Sequence, residues 1–305
     1  MHQLINGSHR TNDEWYFEWW YFHFVTTTGI AINIVLHETD IFGLSKDPYI
    51  SMSVYFPKTK PKYYRIVLKN NSIVRNATHL KIAGSLFYET EKELKIILNF
   101  SSDVALNGLI TKITQPLILN NGLLYKNNYW IVNIPLGIFK GKITIGGQEI
   151  ALESVVYQDH QWGNITIQEF VSDWVWGHFS SVTNNMMLLF YAISTQDNMQ
   201  IRRFARISAN DVYKSIEAGN ISHLVSLSNR QYPERYNGNP IILFPDGSQF
   251  SFRIDHSNIM RARTNETHKT FNVSYLRWVS SANIPTFNTS LRIHGITEYI
   301  RIRRK

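Results

Sequence analysis

The chain has 305 residues and 44% hydrophobic content, enough for two domains of ordinary size with a core each, and too apolar for a disordered polymer. It has no cysteine, which excludes disulfides, thiolate nucleophiles and Cys-ligated zinc, and no apolar run reaches the roughly 18 residues of a membrane span. The net charge of +8 is spread over both halves apart from a basic tail, Arg301, Arg303, Arg304 and Lys305; with no basic stripe interleaved with stacking aromatics, nucleic-acid binding is not expected.

Taken in order, the first half reads as β throughout. Trp15 to Thr26 is a long aromatic run of high β propensity, turned by Thr27-Thr28-Gly29 into a second strand from Ile30 to Asp40. Strands follow at Tyr49 to Phe56, Tyr63 to Lys69, Leu80 to Glu89 and Leu94 to Ser101. In the last of these Leu94, Ile96, Leu98 and Phe100 alternate with Lys95, Asn99 and Ser101, the period of a sheet with one buried face. Leu123 to Ile134, Lys142 to Ile145 and Glu149 to Val156 complete the half, the last two joined by Gly146-Gly147. Short strands at such spacing predict a closed antiparallel barrel or a sandwich.

The β pattern resumes at Ile165 to Ser180, Met186 to Ser194 and Gln200 to Ile207. One helix is predicted over Ala209 to Ala218, with Ser208 as its cap, Val212 and Ile216 on one face, and Gly219 as its stop. Asn229 to Pro240 reads as a loop, and Gln249 to Asp255, Asn272 to Ser280 and Ser290 to Arg303 as strands. Before Tyr157 the basic residues are 12 Lys and 3 Arg; after it they are 3 Lys and 13 Arg. This change of usage supports two domains, residues 1–156 and 157–305.

Two stretches carry chemistry. Trp15 to Phe24 holds eight aromatics in ten residues, with Glu18 and His23 among them. Tyr157-Gln158-Asp159-His160-Gln161-Trp162-Gly163-Asn164 packs an acid, an imidazole, an indole and a phenol into eight positions. A turn needs Gly, Asn or Asp but has no need of His and Trp. Ionisable groups among large aromatics suit a site that holds an apolar ligand and moves a proton. The structural alternatives are a buried hydrogen-bonded corner formed by Asp159, His160 and Trp162, and a Glu18 that accepts from indole N–H groups or an Arg. There is no GxGxxG, P-loop, GxSxG or HExxH, and no His-x-His, so dinucleotide, phosphate-loop, serine-hydrolase and zincin readings lose their support and no metal or cofactor is expected.

Glu18-Trp19-Trp20-Tyr21-Phe22 and Tyr157-x-Asp159-His160-x-Trp162-Gly163, about one domain apart, resemble the AttH/CrtC-like family. That family includes the carotenoid 1,2-hydratases (hydroxyneurosporene synthases) and is related to fungal pericyclases that catalyse Diels–Alder closures. The resemblance implies an all-β chain of two tandem lipocalin-like (calycin) antiparallel barrels, with the one short helix in the second. It implies a hydratase, or a cyclase or isomerase, acting on an isoprenoid, polyene or polyketide; a non-catalytic carrier of such a ligand is the alternative. In the hydratases His-x-Trp works with a Tyr-x-Asp on the next strand. Here Tyr191 is followed two residues on by Ile193, so the acid falls to Asp159, Asp173 or Glu18.

The expected site then has His160 as proton shuttle oriented by Asp159 or another carboxylate, with Tyr191 and Glu18 as further catalytic groups. Trp19, Trp20, Tyr21, Tyr157, Trp162, Trp174 and Trp176 are the expected ligand-binding residues, in a pocket between the domains. A carboxyl desolvated by tryptophans is expected to stay protonated and donate. His160→Ala is expected to abolish turnover at a stability cost of about 1–2 kcal/mol. Strand parity predicts that Trp19 and Trp20 point opposite ways and are not both exposed. The partners expected are a hydrophobic small molecule and, through the basic tail, a membrane surface, on a monomer. Without a signal-peptide core at Met1 to Gly7 the chain reads as cytoplasmic, or as exported if a leader has been removed; nine Asn-x-Ser/Thr sequons fit export with glycosylation, and fit an Asn-rich composition with no sugar attached slightly better.

Overall fold

The computed structural model describes residues 9, 16–39, 47–68, 73–75, 79–82, 85–118, 120–184, 186–208, 211–216, 220–222, 241–243, 249–251, 253–267, 271–285 and 290–305. The chain divides into two compact units, Met1–Ile167 and Gln168–Lys305. The first therefore contains the whole of the central motif.

The first unit is built from β1 (Phe17–Val25), β2 (Ala31–His37), β3 (Tyr49–Tyr55), β4 (Lys62–Val67), β5 (Ile73–Arg75), β6 (His79–Ile82), β7 (Ser85–Glu89), β8 (Glu93–Ser101), β9 (Val104–Lys112), β10 (Leu123–Tyr125), β11 (Asn128–Ile145) and β12 (Gln148–Gly163). They form one antiparallel sheet in the order β4-β3-β2-β1-β12-β11-β9-β8-β7-β6-β5, with β10 on β11. Gly146 and Gly147 turn β11 into β12 with φ of 62° and 75°, the left-handed pair that a two-residue hairpin requires. The sheet curls over one core: Phe22 and Phe24 of β1, Ile32 and Ile34 of β2 and Met52 of β3 pack with Ile96 and Leu98 of β8 and Phe139 of β11. Across the open side Tyr64 of β4 comes within 6.4 Å of the Phe100 ring of β8.

Sequence reading missed β9, whose pattern is interrupted by Asn107-Gly108. Gly108 lies opposite Gly141 of β11, and a Cβ on Gly141 would stand 2.2 Å from the Asn107 carbonyl oxygen. The Phe139 ring would be 2.5 Å from a Cβ on Gly108, so it covers the space the two glycines leave.

In the second unit one turn of helix, α1 (Ile167–Phe170), leads into β13 (Val171–Ser181), β14 (Met186–Thr195), β15 (Gln200–Ser208) and β16 (Asp211–Ile216). β17 (Asn220–Ser222), β18 (Ile241–Leu243) and β19 (Gln249–Ser251) form a small sheet of their own; β20 (Arg253–Thr267), β21 (Phe271–Pro285) and β22 (Ser290–Arg304) complete the larger one, ordered β16-β15-β14-β13-β22-β21-β20. Its core joins Phe179, Leu188, Phe190, Ile254 and Ile293.

The helix predicted over Ala209 to Ala218 is corrected: Asp211–Ile216 is β16, paired antiparallel with β15. Val212 and Ile216 are four apart, and four is an even number, so the spacing that puts them on one helical face also puts them on one strand face. The ends of that prediction and the loop at Asn229 to Pro240 fall outside the described residues. Among the described residues the one α-helix is α1. The basic tail is the end of β22, where Arg301 and Arg303 donate to Asp173 at 2.8 and 3.1 Å and Arg304 to Glu169 at 3.3 Å.

Candidate active site

The central motif is the last part of a long strand, and parity divides it between two faces. Across the β1–β12 pair, Glu18 stands opposite Trp162, Trp20 opposite His160 and Phe22 opposite Gln158. Trp20 and Phe22 belong to the core of the curled sheet, so this is the inner face. Trp19 stands opposite Gln161, Tyr21 opposite Asp159 and His23 opposite Tyr157, and these make the outer face. Trp19 and Trp20 are each 4% exposed, on opposite faces, as parity requires.

On the inner face Glu18 and His160 are both 0% exposed, and Glu18 Oε1 is 2.8 Å from His160 Nε2. Tyr16 donates its hydroxyl to Glu18 Oε2, and the His9 backbone N–H donates to Oε1 at 2.9 Å. His9 Nδ1 lies 3.4 Å from the same oxygen. Burial by itself pushes the Glu18 carboxyl up, but the hydrogen bonds of His160 and His9, the His160 charge and the Tyr16 hydroxyl outweigh it and hold Glu18 well below the usual carboxylate range. An ionised carboxylate can only accept, so His160 turns Nε2–H toward it. Trp20 stacks on His160 at 4.7 Å, and Trp162 lies between the rings of His9, at 3.8 Å, and Tyr129, at 5.2 Å.

Glu18 is a buried acceptor, the alternative the sequence left open, although its donors are an imidazole, a backbone N–H and a phenol and not indoles or an Arg. Of the carboxylates allowed for orienting His160, Asp159 points to the opposite face and Glu18 stands beside the ring.

On the outer face Asp159 Oδ2 accepts from the Tyr157 hydroxyl at 2.8 Å and from the Trp130 indole N–H at 3.2 Å. The His23 ring stacks on Tyr157 at 5.1 Å, and Tyr21 meets Tyr157 edge-on at 6.3 Å. Trp19, Tyr21, His23, Tyr157, Asp159 and Trp130 are all buried. The inner face carries the apolar core together with buried polar groups, Glu18 and His160 at one end, Gln158 opposite Phe22, and Glu89 paired with Lys112 further round the sheet; the outer face of β1 and β12 mixes acid, imidazole, phenols and indoles along its length.

The second unit has a comparable row. Tyr191, Trp176, Glu298 and Arg277 stand side by side across β14, β13, β22 and β21, all buried and on the face turned from the Phe179 core. Arg277 Nε donates to Glu298 Oε1 at 2.5 Å, and Trp174 meets Tyr191 edge-on at 5.6 Å. Asp173 lies on the opposite face, bound to Tyr299, Arg301 and Arg303. Burial, then the Asp173 charge, pushes the Tyr299 phenol up, so it remains a donor.

Solved structures share this fold. A candidate AttH from Nitrosomonas europaea is similar over 98% of this chain and 95% of its own, with a TM-score of 0.71 and 15% identity. CghA, solved with Sch210972, is similar over 99% and 96%, with a TM-score of 0.69 and 9% identity. The chain has the AttH-like fold. Kievitone hydratase from Nectria haematococca shares it over 93% of this chain and 88% of its own, with a TM-score of 0.59 and 14% identity. No family model matches the chain, and no curated protein matches it. The all-β, lipocalin-like class expected from the sequence is the class found, and one protein of known name on the AttH-like fold is a hydratase.

Within the AttH-like fold the structure brings together Glu18, Trp20, His160 and Trp162 on one face, and Trp19, Tyr21, Tyr157 and Asp159 on the other. Tyr191, Trp174 and Trp176 belong to the second unit. Sequence reading missed His9, Tyr16, Trp130, Arg277 and Glu298. For the last two a signal existed: in β21 and β22 a charged residue stands where a buried strand reads apolar, Arg277 beside Trp278 and Glu298 beside Tyr299. His9 carries no signal, because nothing in the sequence ties it to Glu18.

Proposed function

We propose that this chain is an enzyme of the hydratase or cyclase type, acting on a hydrophobic alkene such as an isoprenoid or polyketide at the outer face of β1 and β12. The observation that carries the reading is the hydrogen bonding of Asp159, whose Oδ2 takes both the Tyr157 hydroxyl and the Trp130 N–H within a buried aromatic face. The inner face carries the apolar core that holds the curled sheet together, whereas the outer face supplies ring surface and a carboxyl together.

In this mechanism the neutral Asp159 carboxyl holds its proton on Oδ1, while Oδ2 accepts from Tyr157 and Trp130, and delivers that proton to one alkene carbon. The opposite carbon becomes cationic, and the ring faces of Trp19, Tyr21 and Trp130 stabilise it. Water attacks that carbon, and the proton it sheds returns to the Asp159 carboxylate. In a cyclisation a second double bond of the same substrate attacks instead and then loses the proton. Tyr157, bonded to the same oxygen, positions the carboxyl. The Glu18–His160 pair lies behind the strand and takes no part in proton transfer.

The test is incubation with a panel of isoprenoid and polyketide alkenes, followed by mass spectrometry. A gain of one water marks a hydratase, and a product of unchanged mass but new retention time marks a cyclase or isomerase. Ligand that binds and returns unaltered marks a carrier and defeats the enzymatic reading.

A further inference from the structure

We propose that His9, Glu18 and His160 form a binding site for a first-row divalent cation, zinc foremost. The three candidate ligand atoms, His9 Nδ1, Glu18 Oε1 and His160 Nε2, lie within 4.8 Å of one another. Oε1 is 2.8 Å from Nε2 and 3.4 Å from Nδ1. Zinc holds imidazole nitrogen and carboxylate oxygen at about 2.0–2.2 Å, so tetrahedral neighbours stand roughly 3.3–3.6 Å apart. The 3.4 Å separation sits within that range and the 2.8 Å one about half an ångström below it, so a cation would enter by opening the Glu18–His160 pair and releasing the Nε2 proton to solvent. Two imidazoles and one carboxylate are also a donor set that leaves a coordination position open.

The surroundings are those of a supported site. Tyr16 binds Oε2 and leaves Oε1 aimed at the imidazoles. Trp162 is stacked on the His9 ring at an angle of 6°, and Trp20 on the His160 ring at 17°, so both ligand rings are held in plane. His9 has a side chain 36% exposed while its two partners are fully buried, so an ion reaches the site from the His9 side. The inference stands apart from the Asp159 chemistry, which belongs to the opposite face.

The experiment uses the full chain after dialysis against a chelator. Zn2+ is titrated by calorimetry and Co2+ by visible absorption, into the native protein, His9→Ala, His9→Gln and Asp159→Asn. The native protein is expected to take one ion per chain, with a Co2+ spectrum of low coordination number, and Zn2+ is expected to raise its melting temperature. Loss of His9 should weaken binding by more than about tenfold, in line with the loss of a metal-supporting group. His9→Gln keeps size and polarity and reads the same loss should His9→Ala be unstable. Asp159→Asn should bind the ion as the native protein does, whatever happens to its turnover, which separates this test from that of the reaction. Absence of saturable binding to the native protein overturns the proposal, as does unchanged affinity in both His9 variants; the three side chains are then a hydrogen-bonded cluster only.

Discussion

Two buried carboxylates, Glu18 and Asp159, stand on opposite faces of one strand pair, and their partners give them different work. Glu18 accepts from three residues and is locked as an anion. Its folded pKa lies below its ordinary value of 4.5, so the stability it contributes is complete above about that pH and is lost as pH falls further. Urea unfolding should therefore show native protein and Glu18→Gln differing most near neutrality, by about 3–5 kcal/mol for a broken buried pair, with the gap narrowing below pH 4.5. A gap that stays constant into acid would contradict the ionised Glu18. The same logic revises the expectation for His160→Ala. Removing the imidazole strands a buried carboxylate, and the cost rises from about 1–2 to about 3–5 kcal/mol. Asp159→Asn, by contrast, keeps an oxygen for Tyr157 and Trp130 and removes the proton. It should lower turnover by about 10²-fold or more while the melting temperature stays near native; a variant with full turnover would show that the carboxyl is structural.

Strands account for both what was legible and what was not. The alternation of Leu94, Ile96 and Leu98 with Lys95 and Asn99 announced β8, and its burial follows that alternation. β1, β2 and β3 are buried at every position, so there the period vanishes and only aromatic and β-branched content remains to read. The split of the central motif was legible in principle, since Asp159 and His160 are adjacent and adjacent strand residues diverge. A domain boundary drawn at residue 157 hides that split, because residues 157–163 are the end of β12. Glycine misled at β9, where Gly108 and Gly141 face each other as a close approach of two backbones. At this scale the expectation is that Gly141→Ala, whose Cβ would meet a carbonyl oxygen at 2.2 Å, destabilises the first unit by about 2–4 kcal/mol in chemical denaturation. A cost under about 0.5 kcal/mol, the range of an innocuous surface change, would show that β9 and β11 can part there.

For the molecule as a whole, two compact units each turn an aliphatic core inward and a face of Trp, Tyr and charged residues away from it. Circular dichroism should report helix well below the roughly 30% of an average globular protein, since α1 is the one α-helix among the described residues. A spectrum with a quarter helix would contradict the strand assignment. Ligand is proposed to meet the outer face of β1 and β12 and not the interior of the curled sheet. The most direct measurement is photolabelling of the full chain with a diazirine-bearing geranylgeraniol, with the adducts mapped by peptide mass spectrometry. Adducts are predicted on Trp19, Tyr21 or Tyr157, reduced by unlabelled geranylgeraniol. Adducts on Phe22, Phe24 or Ile34, or labelling that unlabelled geranylgeraniol does not reduce, would contradict it.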